Sequence, residues 1–433
     1  MNEEIRRVLI AARGAAAVRL CRSVREAGLE SVVLLDRHDG RSRWSEQADY
    51  ATHLAAGPQG WPDPGLVVSA ALDAGCDAVL PGWDDLARSP RLALACEQAG
   101  LRWLGSPREL LELCADRQRV RTQAEALDLA AVPGTDALAD PALALAWAVS
   151  VGFPVAVKAA GGEARPLVRV DDEEELRVVV AGMAAEGPVR VERYVLGARE
   201  IEVPIAGDGE EVVVALGTRE VTGRIAGVRR VSSAPAVLDP ELAAQAEDTA
   251  LELAAAIMWR GVGAVQLLLT PDDRIYLLDI RPGLSPHDLV TERVYGVDLV
   301  DAALRTGLGQ PLLWEPETVQ PDGFALALRL QVTGDEDAAP LVARALRTPP
   351  EAALVLVEGE LARPGDELGS LLVWGTARHP VLVRARIALD SLDPGGLPCA
   401  LPALRRLLGD EGWWRGVLDR EDTTEVAGFD PEH

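Results

Sequence analysis

The segment Pro154-Val-Ala-Val-Lys158-Ala-Ala-Gly161-Gly162 carries the residue types closest to chemistry. A strand that holds a lysine inward and then runs into glycines brings a point charge and bare backbone N–H groups up to phosphates. A surface lysine ahead of an ordinary loop has the same local wording. Lys158 is also the only lysine among the 43 basic residues. Either a biased composition left one behind, or this site needs a compact ammonium, which the planar fork of arginine replaces poorly.

Gln266 and Asp279 form the second constellation, on two strand-like runs joined by the turn Thr270–Asp273. Inward-facing oxygen ligands on adjacent strands are how Mg2+ is held against nucleotide phosphates. A competent site wants a second carboxylate where Gln266 stands. Arg281, two residues beyond Asp279 and on the same strand face, repels a cation. A polar pair at a strand edge, with no ligand, is the alternative reading.

The elements that must position these residues follow from periodicity. Strand and helix alternate through the first hundred residues: strands Val8–Ala12, Ser31–Leu35, Ala78–Leu80 and Leu101–Leu104, with helices through Ala27, at Leu66–Ala74 and at Arg91–Ala99. That rhythm predicts a parallel sheet covered by helices. The absence of GxGxxG gives a dinucleotide site little support. Leu110–Leu127 reads as one long helix, broken by Ala131-Val-Pro-Gly134. A small β-α-β module follows, with strands Phe153–Ala159 and Val189–Tyr194 around helix Glu173–Ala185, and it reads as a lid. Strands then dominate: Glu200–Ile205, Glu211–Leu216, and the hairpin Gly263–Leu269 with Arg274–Ile280. Helices Pro240–Ile257 and Val297–Arg305 interrupt them. Gly323–Ile387 again alternates strand-like runs, and Ala400–Leu408 reads as a helix.

Composition sets limits. The net charge of −25 argues against a nucleic-acid partner, whose phosphates want a basic face, while leaving room for a local basic pocket. No apolar run is long enough to span a membrane, and the charged start Met1–Arg7 is followed by no apolar signal segment. Five cysteines without CxxC spacing read as core residues of a reducing cytoplasm.

The wording of several segments converges on one family. Val8-Leu-Ile-Ala-Ala-Arg13-Gly14, Leu80-Pro-Gly-Trp83 and Trp103-Leu-Gly-Ser-Pro107 resemble segments of bacterial biotin carboxylases. So do Arg260-Gly-Val-Gly-Ala264 and the stretch from Gly296-Val-Asp-Leu-Val300 through Gly309-Gln-Pro-Leu312. The resemblance runs in order and nearly colinear from about Arg6 to about Leu408. It implies an α/β fold with an N-terminal Rossmann-like (pre-ATP-grasp) parallel sheet, an ATP-grasp lid and core, and a C-terminal β-rich biotin carboxylase-type domain. The implied boundaries are 1–115, 116–320 with the lid at about 132–195, and 321–433.

What the resemblance implies for the site divides in two. On the ATP side, Lys158 matches a phosphate-contacting lysine, and Arg117 stands where the family has another. Gly161 and Gly162 begin the lid turn. Glu192, Arg193 and Val195 fall on the hinge segment that reads adenine, Glu200 lies near the ribose, and Leu268 and Leu397 sandwich the purine. On the carboxylation side, the family's five-glycine lid run becomes Gly161-Gly162-Glu163-Ala164-Arg165-Pro166, one residue shorter. Its metal carboxylates and asparagine become Gln266, Asp279 and Arg281. Its bicarbonate arginine becomes Gly283, its glutamine Ser285 and its base glutamate His287. In the biotin loop a histidine becomes Gly227 and a lysine Arg229, while Arg329 matches the arginine that stabilises the biotin enolate. Trp83 matches an aromatic near biotin.

Losing a positioned base costs roughly 10²–10⁴-fold. Losing fixed charge at the developing anion costs about 10²–10³-fold more. His287 restores part of the first loss and none of the second. The expectation is therefore a cytoplasmic ATP-binding protein with weak or lost Mg2+ and impaired carboxylation, serving a biotin-dependent acyl-CoA carboxylase in a structural or regulatory role. An active biotin carboxylase, or an ATP-grasp ligase with an altered acceptor, is the rival. Implied partners are a second copy or an active paralogue, a biotin carboxyl carrier protein and a carboxyltransferase. Biotin itself must come from elsewhere, because the only lysine lies in the ATP lid. Arg22 and Glu26 fit the family's dimer face and equally an i,i+4 surface pair.

Overall fold

The computed structural model describes residues 5–35, 39, 43–54, 63–82, 86–159, 168–184, 187–210, 212–225, 228–314, 319–333, 341–342, 361–362, 367–393 and 398–410. Gly161, Gly162, Trp83, Gly227 and Leu397 lie outside them, as does the side chain of Arg229.

Five parallel strands form the N-terminal sheet, in the spatial order Tyr50–His53, Glu30–Leu35, Arg7–Ala11, Ala78–Pro81, Arg102–Trp103. The central strand is apolar on both faces because both are covered. Val8 and Ile10 enter one core with helix Gly14–Glu26, and Leu9 and Ala11 enter another with helices Pro64–Asp73 and Pro90–Gln98. Asp63 and Ser89 cap the latter two helices, each followed by a proline in the first turn.

The lid is a separate three-stranded antiparallel sheet, Val168–Val170, Val155–Ala159 and Val189–Arg193. Helices Pro141–Val151 and Glu173–Ala184 cover it, and its small core gathers Ala144, Ala148, Val155, Val157, Leu176, Val180 and Val191.

The largest sheet is antiparallel and has eight strands. Its path runs Ile275–Pro282, Arg260–Leu269, Arg199–Asp208, Arg219–Ile225, Val228–Ala234, Phe324–Gln331, Glu367–Gly375, with Val213–Ala215 beside Arg199–Asp208. Strands on both sides of residue 320 therefore share one sheet, joined where Val228–Ala234 pairs with Phe324–Gln331.

Two expectations from the sequence need correction, and one strand pair went unread. Leu110–Leu127 is two helices, Arg108–Ala115 and Arg117–Ala126, because Asp116 turns to φ −105°, ψ 95° and caps the second. Residues within Gly323–Ile387 are not all strand-like: Arg378–Ser391 is a helix whose Val381, Leu382, Ala385 and Leu389 pack on the C-terminal strands. The strand pair Arg219–Ile225 and Val228–Ala234 was hidden by its many arginines.

Candidate nucleotide cleft and its buried neighbour

Asp116 decides how the cleft is built. Its carboxylate accepts the N–H groups of Gln118 at 3.0 Å and Arg119 at 3.3 Å, so a helix begins at Arg117. From that position the Arg117 guanidinium spans the cleft between lid and hairpin. Nη1 donates to Glu192 Oε1 at 3.3 Å, and Nη2 donates to Asp279 Oδ2 at 3.0 Å. The other Glu192 oxygen receives the Lys158 ammonium. Asp279 raises the Arg117 pKa against the opposing effect of burial, and Glu192 adds to the rise, so the guanidinium stays charged.

The lid register adds a residue that sequence reading missed. Lys158 lies directly opposite Arg190, and Ala156 opposite Glu192, so Lys158, Arg190 and Glu192 share one face. Arg190 lines the cleft with Arg121, whose Nη1 donates to the Gly134 carbonyl oxygen at 2.9 Å. Burial lowers the Arg190 pKa, and the charge of Arg117 lowers it further. Period-two spacing from Glu192 was the available signal for Arg190. Gly134 bridges to Glu192 so closely that a Cβ there would sit 2.8 Å from Glu192 Cγ.

An apolar wall stands beside these charges. Leu268 is fully buried with Val132 and Ala198, and Val195, Tyr276 and Leu278 pack against them. Glu200 is buried opposite Leu268 in the sheet register. The Arg193 side chain is exposed, and its backbone N–H is given to the Pro133 carbonyl at 2.8 Å.

Farther along the same sheet, in one cross-strand row with Asp279, Gln266 and Glu202, a second arginine is held between two carboxylates, and it is buried. Arg219 Nε donates to Glu202 Oε2 at 2.8 Å, and Nη1 donates to Asp288 Oδ1 at 2.6 Å. Arg219 and Glu202 are only 1% and 2% exposed. Gln266 donates its carboxamide N–H to Glu202 Oε1 at 2.5 Å. Burial raises the Asp288 pKa, with Arg219 opposing. Around this group a pocket gathers Arg88, Arg281, Gly283, His287 and Arg329. His287 is buried just ahead of helix Asp288–Tyr295. Gly283 has φ +92°, and a Cβ there would come within 2.9 Å of Ala87 Cβ. Arg88, Glu202 and Arg219 escaped the sequence reading, since only the tertiary fold brings them to His287.

The expected metal pair is not assembled as a metal site. Gln266 and Asp279 are cross-strand partners, but Gln266 presents its N–H to Glu202. One Asp279 oxygen takes Arg117 and the other takes the Ile280 N–H at 2.9 Å. Among the described residues no group of three or more His, Cys, Asp or Glu could hold a metal ion. One carboxylate already neutralised by a guanidinium, with Arg281 along the strand, is a poor donor set for a cation that wants an octahedron of oxygens.

Comparison with known proteins now decides the lineage. Residues 4–111 match the biotin carboxylase N-terminal domain, and residues 116–314 match the carbamoyl-phosphate synthase L chain ATP binding domain. The chain belongs to the biotin carboxylase family. Among its relatives is the biotin carboxylase of Halalkalibacterium halodurans, 28% identical over 93% of this chain and 94% of that protein. The biotin carboxylase of Pseudomonas aeruginosa is 27% identical over 98% of this chain and 99% of its own length. A solved biotin carboxylase domain of a single-chain bacterial carboxylase superposes with TM-score 0.84 at 27% identity, covering 97% of each chain. The biotin carboxylase domain dimer of Hydrogenobacter thermophilus 2-oxoglutarate carboxylase, bound to MgADP, ADP and bicarbonate, shares the fold at TM-score 0.89 and 24% identity over 98% of each chain. The α/β architecture expected for a biotin carboxylase family member is thus present, from the parallel N-terminal sheet to the antiparallel body.

Proposed function

We propose that this biotin carboxylase family member takes ATP or ADP in the cleft between lid and hairpin, and that its carboxylation chemistry is impaired. Lys158, Arg117 and Arg190 would meet the phosphates, and the wall of Val195 and Leu268 would meet the base. The Hydrogenobacter thermophilus relative holds ADP and bicarbonate, which supports a nucleotide in this fold. One observation carries the impairment. Gly283 stands where the resemblance places the bicarbonate arginine, and Ala87 fills the space from which any side chain would start. Losing such fixed charge costs roughly 10²–10³-fold in rate.

Such a protein would serve a biotin-dependent acyl-CoA carboxylase in the cytoplasm in a structural or regulatory role. It would pair with a second copy or an active paralogue and meet the biotin carrier and the carboxyltransferase on other chains. No described helix is long and apolar enough to cross a membrane. The test is ATP turnover by the purified full-length chain with free biotin and bicarbonate. The reading expects nucleotide binding with turnover at least about 10²-fold below that of an active relative assayed in parallel. Biotin- and bicarbonate-dependent turnover at the relative's rate would refute it.

A second reading, a ligase with an altered acceptor, is favoured by the gathering of Arg88, Arg281 and Arg329 at His287. ATP turnover that depends on a carboxylic acid other than bicarbonate would select it.

A further inference from the structure

Charge is arranged unusually around Asp279. The guanidinium of Arg117 lies against this carboxylate, with Nη2 3.0 Å from Asp279 Oδ2. The lid contributes Lys158 and Arg190 from one face, and Arg121 lines the same cleft. Glu192 and Asp279 face these four cations, and Asp116 and Asp136 also act on Arg190. A polyphosphate would therefore meet four clustered cationic donors. The Asp279 carboxylate, the one acid of the expected metal pair, already accepts from Arg117 and the Ile280 N–H, and Gln266 is turned by its N–H toward Glu202.

We propose that the cleft takes its nucleotide without a divalent cation, with the Arg117 guanidinium standing where the metal would stand. This rests on the nucleotide reading above and adds to it that metal-free ADP or ATP is the ligand. The physical reason is competition. To enter, Mg2+ would have to displace a charged guanidinium from Asp279 while gaining one carboxylate oxygen, beside a second arginine, Arg281, on the same strand. A free nucleotide meets none of these costs. Its phosphates replace Glu192 as the acceptor for Arg117 Nη1 while Asp279 keeps Nη2, and the exchange trades one charge-assisted hydrogen bond for another. Arginine suits this role better than lysine, because its fork can hold Asp279 and a phosphate oxygen at once.

The test is calorimetric titration of the full-length protein with ADP, once in excess EDTA and once in excess MgCl₂. The expected result is a Kd in EDTA equal to or tighter than that in Mg2+, since Mg2+ removes charge from the ligand. Binding seen only with Mg2+, or tightened by it tenfold or more, overturns the inference and leaves the nucleotide site standing. No binding under either condition removes the nucleotide reading and the inference with it. Arg117→Met then asks whether the guanidinium is responsible: metal-free affinity should fall at least tenfold, and any residual binding should become Mg2+-dependent. Unchanged metal-free affinity in that variant also overturns the inference. Should Arg117→Met fold poorly, Arg117→Lys keeps the charge without the fork and should weaken metal-free binding by a smaller factor, whereas unchanged affinity there removes the role of the fork.

Discussion

Two arginines in this molecule each sit between two carboxylates, and they teach opposite lessons. Arg219, between Glu202 and Asp288, is 1% exposed and buried on a strand of the antiparallel sheet. Arg117, between Glu192 and Asp279, is 34% exposed and bridges lid and hairpin across an open cleft. The local chemistry is nearly the same. Burial makes the first a structural tie, since losing one partner strands a charge in low dielectric. Access to water makes the second exchangeable, because an incoming anion can replace either acid.

The comparison breaks most visibly at Arg219. Arg219→Met should cost about 3–5 kcal/mol by leaving Glu202 and Asp288 buried and uncompensated. Arg117→Met should cost about 1 kcal/mol or less. Urea denaturation of both variants measures the contrast, and equal losses would erase the distinction between tie and exchangeable pair. Next in size is Lys158→Ala, which on the proposed reading removes a charge-assisted contact to the nucleotide worth about 1.5–3 kcal/mol. ADP affinity should fall roughly 10–100-fold with an unchanged urea midpoint. A fall in stability of the same size would make Lys158 a structural residue of the lid.

Beside the buried tie, Glu292 shows what burial does to a carboxylate. Its carboxyl, one turn beyond Asp288, is pushed up to about 7 chiefly by burial, with Arg19 opposing and Asp298 and Asp288 adding to the rise. Between the ordinary carboxylate range and about pH 7 the folded state holds more protons than the unfolded chain, so stability falls as pH rises through that window. Glu292→Gln should therefore stabilise the protein by about 2 kcal/mol at pH 8, and the gain should disappear near pH 4. Melting curves at both pH values test this, and a gain that is the same at each would assign the effect to packing instead. The smallest effect belongs to Asp116→Ala, which removes the cap of helix Arg117–Ala126 at about 1 kcal/mol. Because that cap sets where Arg117 starts, ADP affinity should drop along with stability.

Sequence carried the N-terminal sheet well, since alternating apolar runs and capped helices are local signals. It placed Lys158 on a strand, where the structure has it. What stayed hidden depended on distant partners. Arg190 became a cleft residue only through the antiparallel register opposite Lys158. The turn of Gln266 toward Glu202 needed the pairing of Arg260–Leu269 with Arg199–Asp208. The break at Asp116 was readable in principle, as an N-cap residue inside an otherwise continuous helical pattern. The arginine-rich strands Arg219–Ile225 and Val228–Ala234 offered no alternation strong enough to announce themselves.

The continuous antiparallel sheet has a practical consequence for anyone dividing this chain. Residue 320 looks like a natural cutting point, yet Val231, Ser232, Ser233 and Ala234 pair beyond it with Leu328, Ala327, Leu326 and Ala325. A fragment ending there would expose the backbone N–H and C=O groups of Val228–Ala234 as an open edge, with the apolar layer behind it uncovered. Such an edge recruits strands from other molecules. Expression of the N-terminal three-quarters alone should yield aggregate, because the C-terminal strands are what covers this edge.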